Sequence, residues 1–458
     1  MNPLLLALLA YVALQLAIGF VVSRRIRTED DYLVAGRRMG PMLAAGTIFA
    51  TWFGAETCLG GAGGAYAEGV SLGTAEPFAY GLCIGFMGLV FAVRLWNLRL
   101  TTLADFFRSR YSRGVEQLAA ALMIPTSLLW SAAQVRAFGQ VLASAAGMEV
   151  EVAIGLAAAI VVVYTAFGGL LADAITDVVQ GVCLVLGLLV ILVGVVRGSG
   201  GWEATVASID PARVRLFPLE GGSPLALLEA WCVPILGSVV AQELVVRVSA
   251  SRSARVARGS ALAGGGLYVL VGLVPVFLGL AGPALVPDLV DGEAILPELA
   301  RRFLSPLGYA LFAGALVSAI LSTVDSTLLV CSSLLSHNLV LPRLPEATEA
   351  QKVRLARLFV VGFGLLAFAL ALTGESVSAL VEQASSLGSS GLFVILFLGL
   401  FTRVGGAASG FGALLCGLAG YLLAEAGGLD LPFLTSLVAA FAGFALGALA
   451  TRTRRSAR

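Results

Sequence analysis

Apolar residues run along this chain in long blocks. Thirteen are long enough to cross a bilayer: 3–22, 42–66, 76–97, 116–146, 150–170, 177–197, 226–247, 259–281, 306–333, 356–373, 377–401, 405–425 and 431–450. A helical span needs about 20 mostly apolar residues. The pattern therefore predicts an all-α polytopic membrane protein with about 13 transmembrane helices. The connections are short. The longest runs over roughly 198–225, and a brief tail follows at 451–458. The first block is followed by SRRIR rather than a cleavage site, so it reads as a retained helix and not a leader.

Two blocks carry interruptions. In AAGTIFATWFGAETCLGGAGGAYAEG an apolar half gives way to Glu56 and a glycine cluster. In LLEAWCVPILGSVVAQELVVRV the run meets Pro234 and Gly237, then Gln242 and Glu243. Broken helices at matching places in two halves are the mark of an inverted-repeat transporter. These two lie five spans apart, the offset of a five-plus-five repeat. The predicted repeats are 42–197 and 226–401, with one helix before them (3–22) and two after (405–450). The plainer reading is that the glycines only let helices pack closely.

The stretch SAILSTVDSTLLVCSS, inside the block at 306–333, holds seven hydroxyls and Asp325. Ala319, Ser322 and Thr323 share one helical face. Hydroxyls with freed carbonyls form a neutral cage of oxygens, the ligand that hard cations prefer. A carboxylate at membrane depth needs a cation, a proton or a buried partner. The alternative has the hydroxyls bonded back along their own helix and Asp325 at a wet helix end.

Charge then narrows the function. Only 12% of residues are charged and 59% are hydrophobic, against about 25% charged in soluble domains. A net charge of +1 gives no reason to expect a nucleic-acid partner. No P-loop is present, and one histidine cannot build a histidine-based metal site. The six cysteines all fall in apolar stretches and read as small buried hydrophobes. Of the 29 lysines and arginines, 23 fall on alternate connections that share one side, five fall on the other, and Arg136 lies inside a span. That bias places the N-terminus outside and the C-terminus in the cytoplasm, in a plasma (inner) membrane. Glu56, Arg136 and Glu243 are charges within spans. Arg136 is expected to pair with Glu243 first and Glu56 second, either holding solute or bracing the bundle.

The hydroxyl-rich segment resembles the eighth core helix of the sodium:solute symporter family. GRRMGP, TLADFFRSRY, AFGGLLADAITDVVQG and GLFTRVGGAASGFGALLCGLAG resemble other segments of the same family, in their order along the chain. The resemblance implies a leucine-transporter-type fold and sodium-coupled secondary transport of a small organic solute by alternating access, without enzymatic chemistry. It implies a first sodium site at Ala50, Phe53, Ala319, Ser322 and Thr323. A second sodium or proton site would use Asp177, Ser322, Asp325 and Ser326, with Asp325 where the two-sodium pattern has serine. One or two sodium ions are thus expected.

The solute site implied is Trp52, Glu56, Trp130, Gln134, Arg136, Gln242 and Glu243. ATWFGA and Trp130 are similar to the choline carriers of the family, yet Ala241 stands before Gln242 where those carriers have tryptophan. A zwitterionic or carboxylate-bearing solute, met by Arg136, is the favoured expectation. Proton coupling, choline-like cation uptake and a transport-silent sensor are the alternatives.

Overall fold

The computed structural model describes residues 27–217, 223–373 and 377–456, and positions 13, 17, 20 and 21 of the first apolar block. Every regular element among them is helical; Met39–Ser251 and Val70–Val214 form isolated backbone bridges. This follows from the solvent: in hydrocarbon a helix satisfies its own backbone, whereas an open strand does not.

The long helices are α1 (Pro41–Trp52), α2 (Glu56–Glu68), α3 (Phe78–Leu98), α4 (Arg113–Ala146), α5 (Val150–Gly198), α6 (Pro224–Val240) and α7 (Gln242–Ala250). After them come α8 (Ala254–Leu285), α9 (Pro306–Arg343), α10 (Glu349–Thr373), α11 (Val377–Ser386), α12 (Ser389–Phe401), α13 (Ala407–Ala426) and α14 (Pro432–Ser456). Eight helices are long and apolar enough to cross a membrane, and up to eleven spans form among the described residues when each of three bent pairs is taken as one. The expected span at 150–170 appears as the apolar helix Val150–Val163, and that at 3–22 lies outside the described residues apart from the four positions named.

Both predicted interruptions are real bends. α1 meets α2 at 57° and α6 meets α7 at 49°. A third bend, 41° between α11 and α12, has Gly388 in the left-handed region (φ 71°).

One boundary differs from the sequence expectation in a way that matters. The connection expected at 171–176 is helical, because the chain turns earlier, at Gly169 (φ 64°, ψ 170°). Side chains other than glycine rarely adopt that conformation. Asp173 is consequently buried on α5 rather than placed in a loop. α9 is the most enclosed span: residues 315–334 are all buried, and it packs against α4 and α5.

Candidate functional site: a broken helix against a polar one

The backbone leaves the helix at Phe53 and Gly54, between α1 and α2. In an unbroken helix the Gly54 and Ala55 amides would donate to the Ala50 and Thr51 carbonyls. Here they donate to Glu56 Oε1 (3.3 Å) and Gln134 Oε1 (3.0 Å) instead. Carbonyls released from the ladder need other partners. Thr323 Oγ1 on α9 donates to the Thr51 carbonyl at 2.8 Å and to the Ala319 carbonyl at 3.3 Å. Gly54 allows this close approach, since a Cβ there would lie 2.5 Å from Glu56 Oε2 and 2.8 Å from Thr323 Oγ1. Ala50, Phe53, Ala319, Ser322 and Thr323 are all buried. Thr323 meets the α1 break through the Thr51 carbonyl, while the Ser322 hydroxyl donates to Asp177 Oδ1. The freed carbonyls and the Thr323 hydroxyl are neutral oxygens of the kind sodium accepts.

Beside this break lies a charged cluster. Arg247 on α7 is fully buried, with Nη2 2.7 Å from Asp173 Oδ2 and 3.2 Å from Asp177 Oδ2. It also donates to Ser326 Oγ at 2.5 Å, to Thr47 Oγ1 at 2.9 Å and to the Glu243 carbonyl at 3.1 Å. The carboxylates of Asp173, Asp177 and Asp325 have oxygens within 4.8 Å of one another. Thr47, Thr51 and Ser322 donate to Asp177, and Ser326 to Asp173. Asp177, Ser322, Asp325 and Ser326 therefore stand together. The wet-end alternative for Asp325 fails, since only 2% of this residue is exposed.

Sequence reasoning missed Asp173 and Arg247, which it placed among connections. A signal was available: Asp173 with Asp177, and Glu243 with Arg247, are i,i+4 pairs that share a helical face.

The predicted solute residues divide. Trp52 and Trp130 meet edge to face, with ring centroids 5.6 Å apart. Tyr80, which the sequence did not single out, joins them at 6.1 and 6.3 Å. Gln134 Nε2 donates to Glu56 at 2.8 Å, and Ser127 Oγ donates to Glu243 at 2.7 Å. Gln242 is committed elsewhere. Its Oε1 accepts from Leu103 N (2.7 Å) and its Nε2 donates to Thr101 O (3.4 Å), bracing the start of the short helix Leu103–Arg110.

The expected pairing of Arg136 with Glu243 or Glu56 is not formed; its Nη1 donates to the Ala371 carbonyl on α10 at 3.0 Å. Helix geometry gives the reason. Arg136 stands nine residues beyond Ser127, about 13 Å along α4, and two beyond Gln134, which turns it to another face.

The match to known proteins covers most of this architecture. The model of the sodium:solute symporter family matches residues 32–420. The chain belongs to the sodium:solute symporter family. It is 27% identical to the sodium/pantothenate symporter of Escherichia coli (strain K12) over 447 residues, 94% of this chain and 92% of that protein. It is 25% identical to the high-affinity choline transporter 1 of Caenorhabditis elegans over 423 residues, 86% and 72% of the two chains. The fold is similar to that of a Na+-coupled sialic acid symporter in a substrate-bound outward-open state, with a TM-score of 0.85, 21% identity and coverage of 97% and 96%. These relatives are transporters, and the chain is not an enzyme.

In this symporter, cavities flank the aromatic residues on two sides. A vestibule of about 390 Å³ is lined by Glu56, Glu76, Tyr80, Glu229, Glu293 and Glu382, among others. A smaller chamber lies against Trp52, Trp130, Glu243, Thr323 and Thr327, and another against Ser127, Trp130, Gln242 and Glu243. The α1 break, with its cation-suited oxygens, thus borders the same chamber as the tryptophans.

Proposed function

We propose that this symporter couples one sodium ion, held at the α1 break against α9, to the movement of a small organic solute by alternating access. The observation that carries the reading is the release of the Ala50 and Thr51 carbonyls from the helix, with the Thr51 carbonyl accepting from Thr323 Oγ1. Sodium bound there draws α1 to α9 and preorganises the neighbouring chamber, so solute and ion bind with positive coupling. One bundle of helices rocks against the other, and the bends at α1–α2 and α6–α7 stand at equivalent positions of the repeats at 42–197 and 226–401. The arginine bias supports an outside N-terminus and a cytoplasmic C-terminus.

Thermal unfolding of the purified chain in sodium and in potassium chloride at matched ionic strength tests the site, since a ligand of the folded state raises its stability. A sodium-selective rise that Thr323→Ala weakens is the expected result. Equal stability in the two salts removes the site.

The charged cluster favours a second reading alongside the first. Three buried carboxylates face one guanidinium. Ionised together, they leave an excess of negative charge at membrane depth, which calls for a further cation or a proton. Transport current recorded with sodium fixed and pH varied separates the two: dependence on a proton gradient assigns the charge to a proton, and its absence assigns it to a second sodium.

A further inference from the structure

Gln242 is the first residue of α7, directly after the extended turn at Ala241 (φ −60°, ψ 127°) that parts α7 from α6. It borders the chamber shared with Ser127, Trp130 and Glu243, yet both ends of its amide are bonded to backbone. Oε1 accepts from Leu103 N at 2.7 Å, and Nε2 donates to Thr101 O at 3.4 Å. Leu103 opens the short helix Leu103–Arg110, and the first amides of a helix have no partner within it. Gln242 thus satisfies an amide that the helix itself leaves bare. Gln242, Thr102 and Leu103 are all buried, so water does not serve this joint.

The segment that Gln242 grips is fixed firmly on its other sides. The Thr102 hydroxyl donates to Asn338 Oδ1 on α9 at 2.8 Å, and Asp105 accepts from Asn338 Nδ2 at 3.0 Å. Arg110 donates to Val404 O, just past α12, at 2.7 Å. The Tyr111 hydroxyl donates to Ile395 O on α12, also at 2.7 Å. Residues 101–111 are therefore tied to α9 and α12. Their hydrogen bonds to α7, among the described residues, all come from Gln242.

The same helix α7 meets the rest of the site. Glu243 borders the chamber, and Arg247 holds Asp173 and Asp177 beside the α1 break. The joint lies toward the arginine-rich connection that holds Arg108, Arg110 and Arg113. The vestibule lies on the other side of the α6–α7 bend, against Glu229 and Pro234 of α6.

We propose that Gln242 is a positioning residue for transport, the clamp that holds α7 against the helix Leu103–Arg110 and keeps the arginine-rich end closed while the vestibule is open. This role rests on the alternating-access reading above and names the joint that parts. Once parted, the Gln242 amide and the Leu103 N–H are hydrated, so opening and water entry occur together. With leucine at 242, the Leu103 amide is unpaired while the joint is closed and hydrated once it opens. The open state then gains on the closed one.

Hydrogen–deuterium exchange of the full chain in nanodiscs reads both ends at once. It is run first in potassium chloride, where the ion site plays no part. Gln242→Leu removes both bonds. Leu103→Pro removes the donor N–H at the first helical position, where proline is well accepted. The residue before it is already extended, as proline requires (Thr102 φ −129°, ψ 160°). Each variant should speed exchange at least threefold over 104–107 and 243–250. Each should also slow exchange at least threefold over 60–64 and 229–233, on the vestibule side. The double variant should add little to Gln242→Leu, because both changes break one joint. Should one variant fail to fold, the other carries the comparison.

Faster exchange over 104–107 with the vestibule side unchanged overturns the proposal and makes Gln242 a local brace. Unchanged exchange at both ends overturns it too, as do effects that sum in the double variant. Repeating the measurement in sodium chloride keeps the two readings apart. A parent chain whose exchange ignores sodium sinks the ion site, while the clamp is decided in potassium.

Discussion

Thr323 and Arg247 show how much a single side chain decides here. The Thr323 hydroxyl is one of few polar links between α9 and the break in α1. Its loss removes a neutral hydrogen bond worth about 1 kcal/mol and one oxygen of the proposed ion cage. Thr323→Ala should therefore raise sodium half-saturation roughly tenfold, about 1.4 kcal/mol, with little effect on folding in potassium; ion titration of transport current checks this. Arg247 belongs to a different class, since its removal leaves buried carboxylates without their cation. Arg247→Gln should cost about 3–5 kcal/mol of stability. Asp173→Asn added to it should recover part of the loss, and thermal unfolding of the single and double variants reads that coupling.

Among the elements, the proposed function turns on the bends, and glycine permits two of them. Gly54→Ala places a methyl against Glu56 and Thr323, so α1 and α9 must separate. Sodium-dependent stabilisation should vanish in this variant while the helical content measured by circular dichroism stays unchanged. At the arginine-rich end, His337 on α9 lies between Glu29 (2.9 Å) and Asp105 (3.3 Å), and Asn338 bridges Asp105 and Glu116 at 3.0 Å each. Burial alone would raise the Asp105 carboxyl. His337 and the Thr101 and Thr102 amides outweigh it and hold the group below its ordinary value. A depressed folded value adds stability that is fully present above the unfolded pKa, about 3.9, and is lost as pH falls through the folded one. Acidification below about pH 4 should loosen this junction. His337→Gln should flatten that part of the stability–pH curve.

At the scale of the molecule, charge is sorted by depth. The arginine-rich connections alternate along the chain with arginine-poor ones, the glutamate-lined vestibule opens beside α6 and α11, and the Asp173–Asp177–Asp325–Arg247 cluster sits in the helical core. Attraction of cations into the vestibule is a property of this whole arrangement. It should weaken as ionic strength rises, because screening shortens its reach. The uptake rate at low sodium concentration should then fall with added inert salt, while the rate at saturating sodium changes little.

The sequence by itself determined the class of protein, nearly all of the spans, the bends at α1–α2 and α6–α7 and the family, because each is written in local order. Block length, a glycine cluster, and serine and threonine at helical spacing all survive without tertiary contacts. It also brought Asp177, Ser322, Asp325 and Ser326 to one place, through spacing on α9 and the family's pattern. Partnership between helices was decided only in three dimensions. Arg136 reaches a carbonyl of α10 rather than Glu243 or Glu56, because its height and facing along α4 carry it away from both. Gln242 turned to the 101–103 backbone. Tyr80 entered the aromatic corner from a span with no evident polar motif. Arg247 and Asp173, read as connection charges, were drawn into the core because the turn comes at Gly169 and α7 runs on to Ala250. Where a helix ends by one turn decides whether a charge meets water or another charge, and hydropathy alone leaves that turn undetermined.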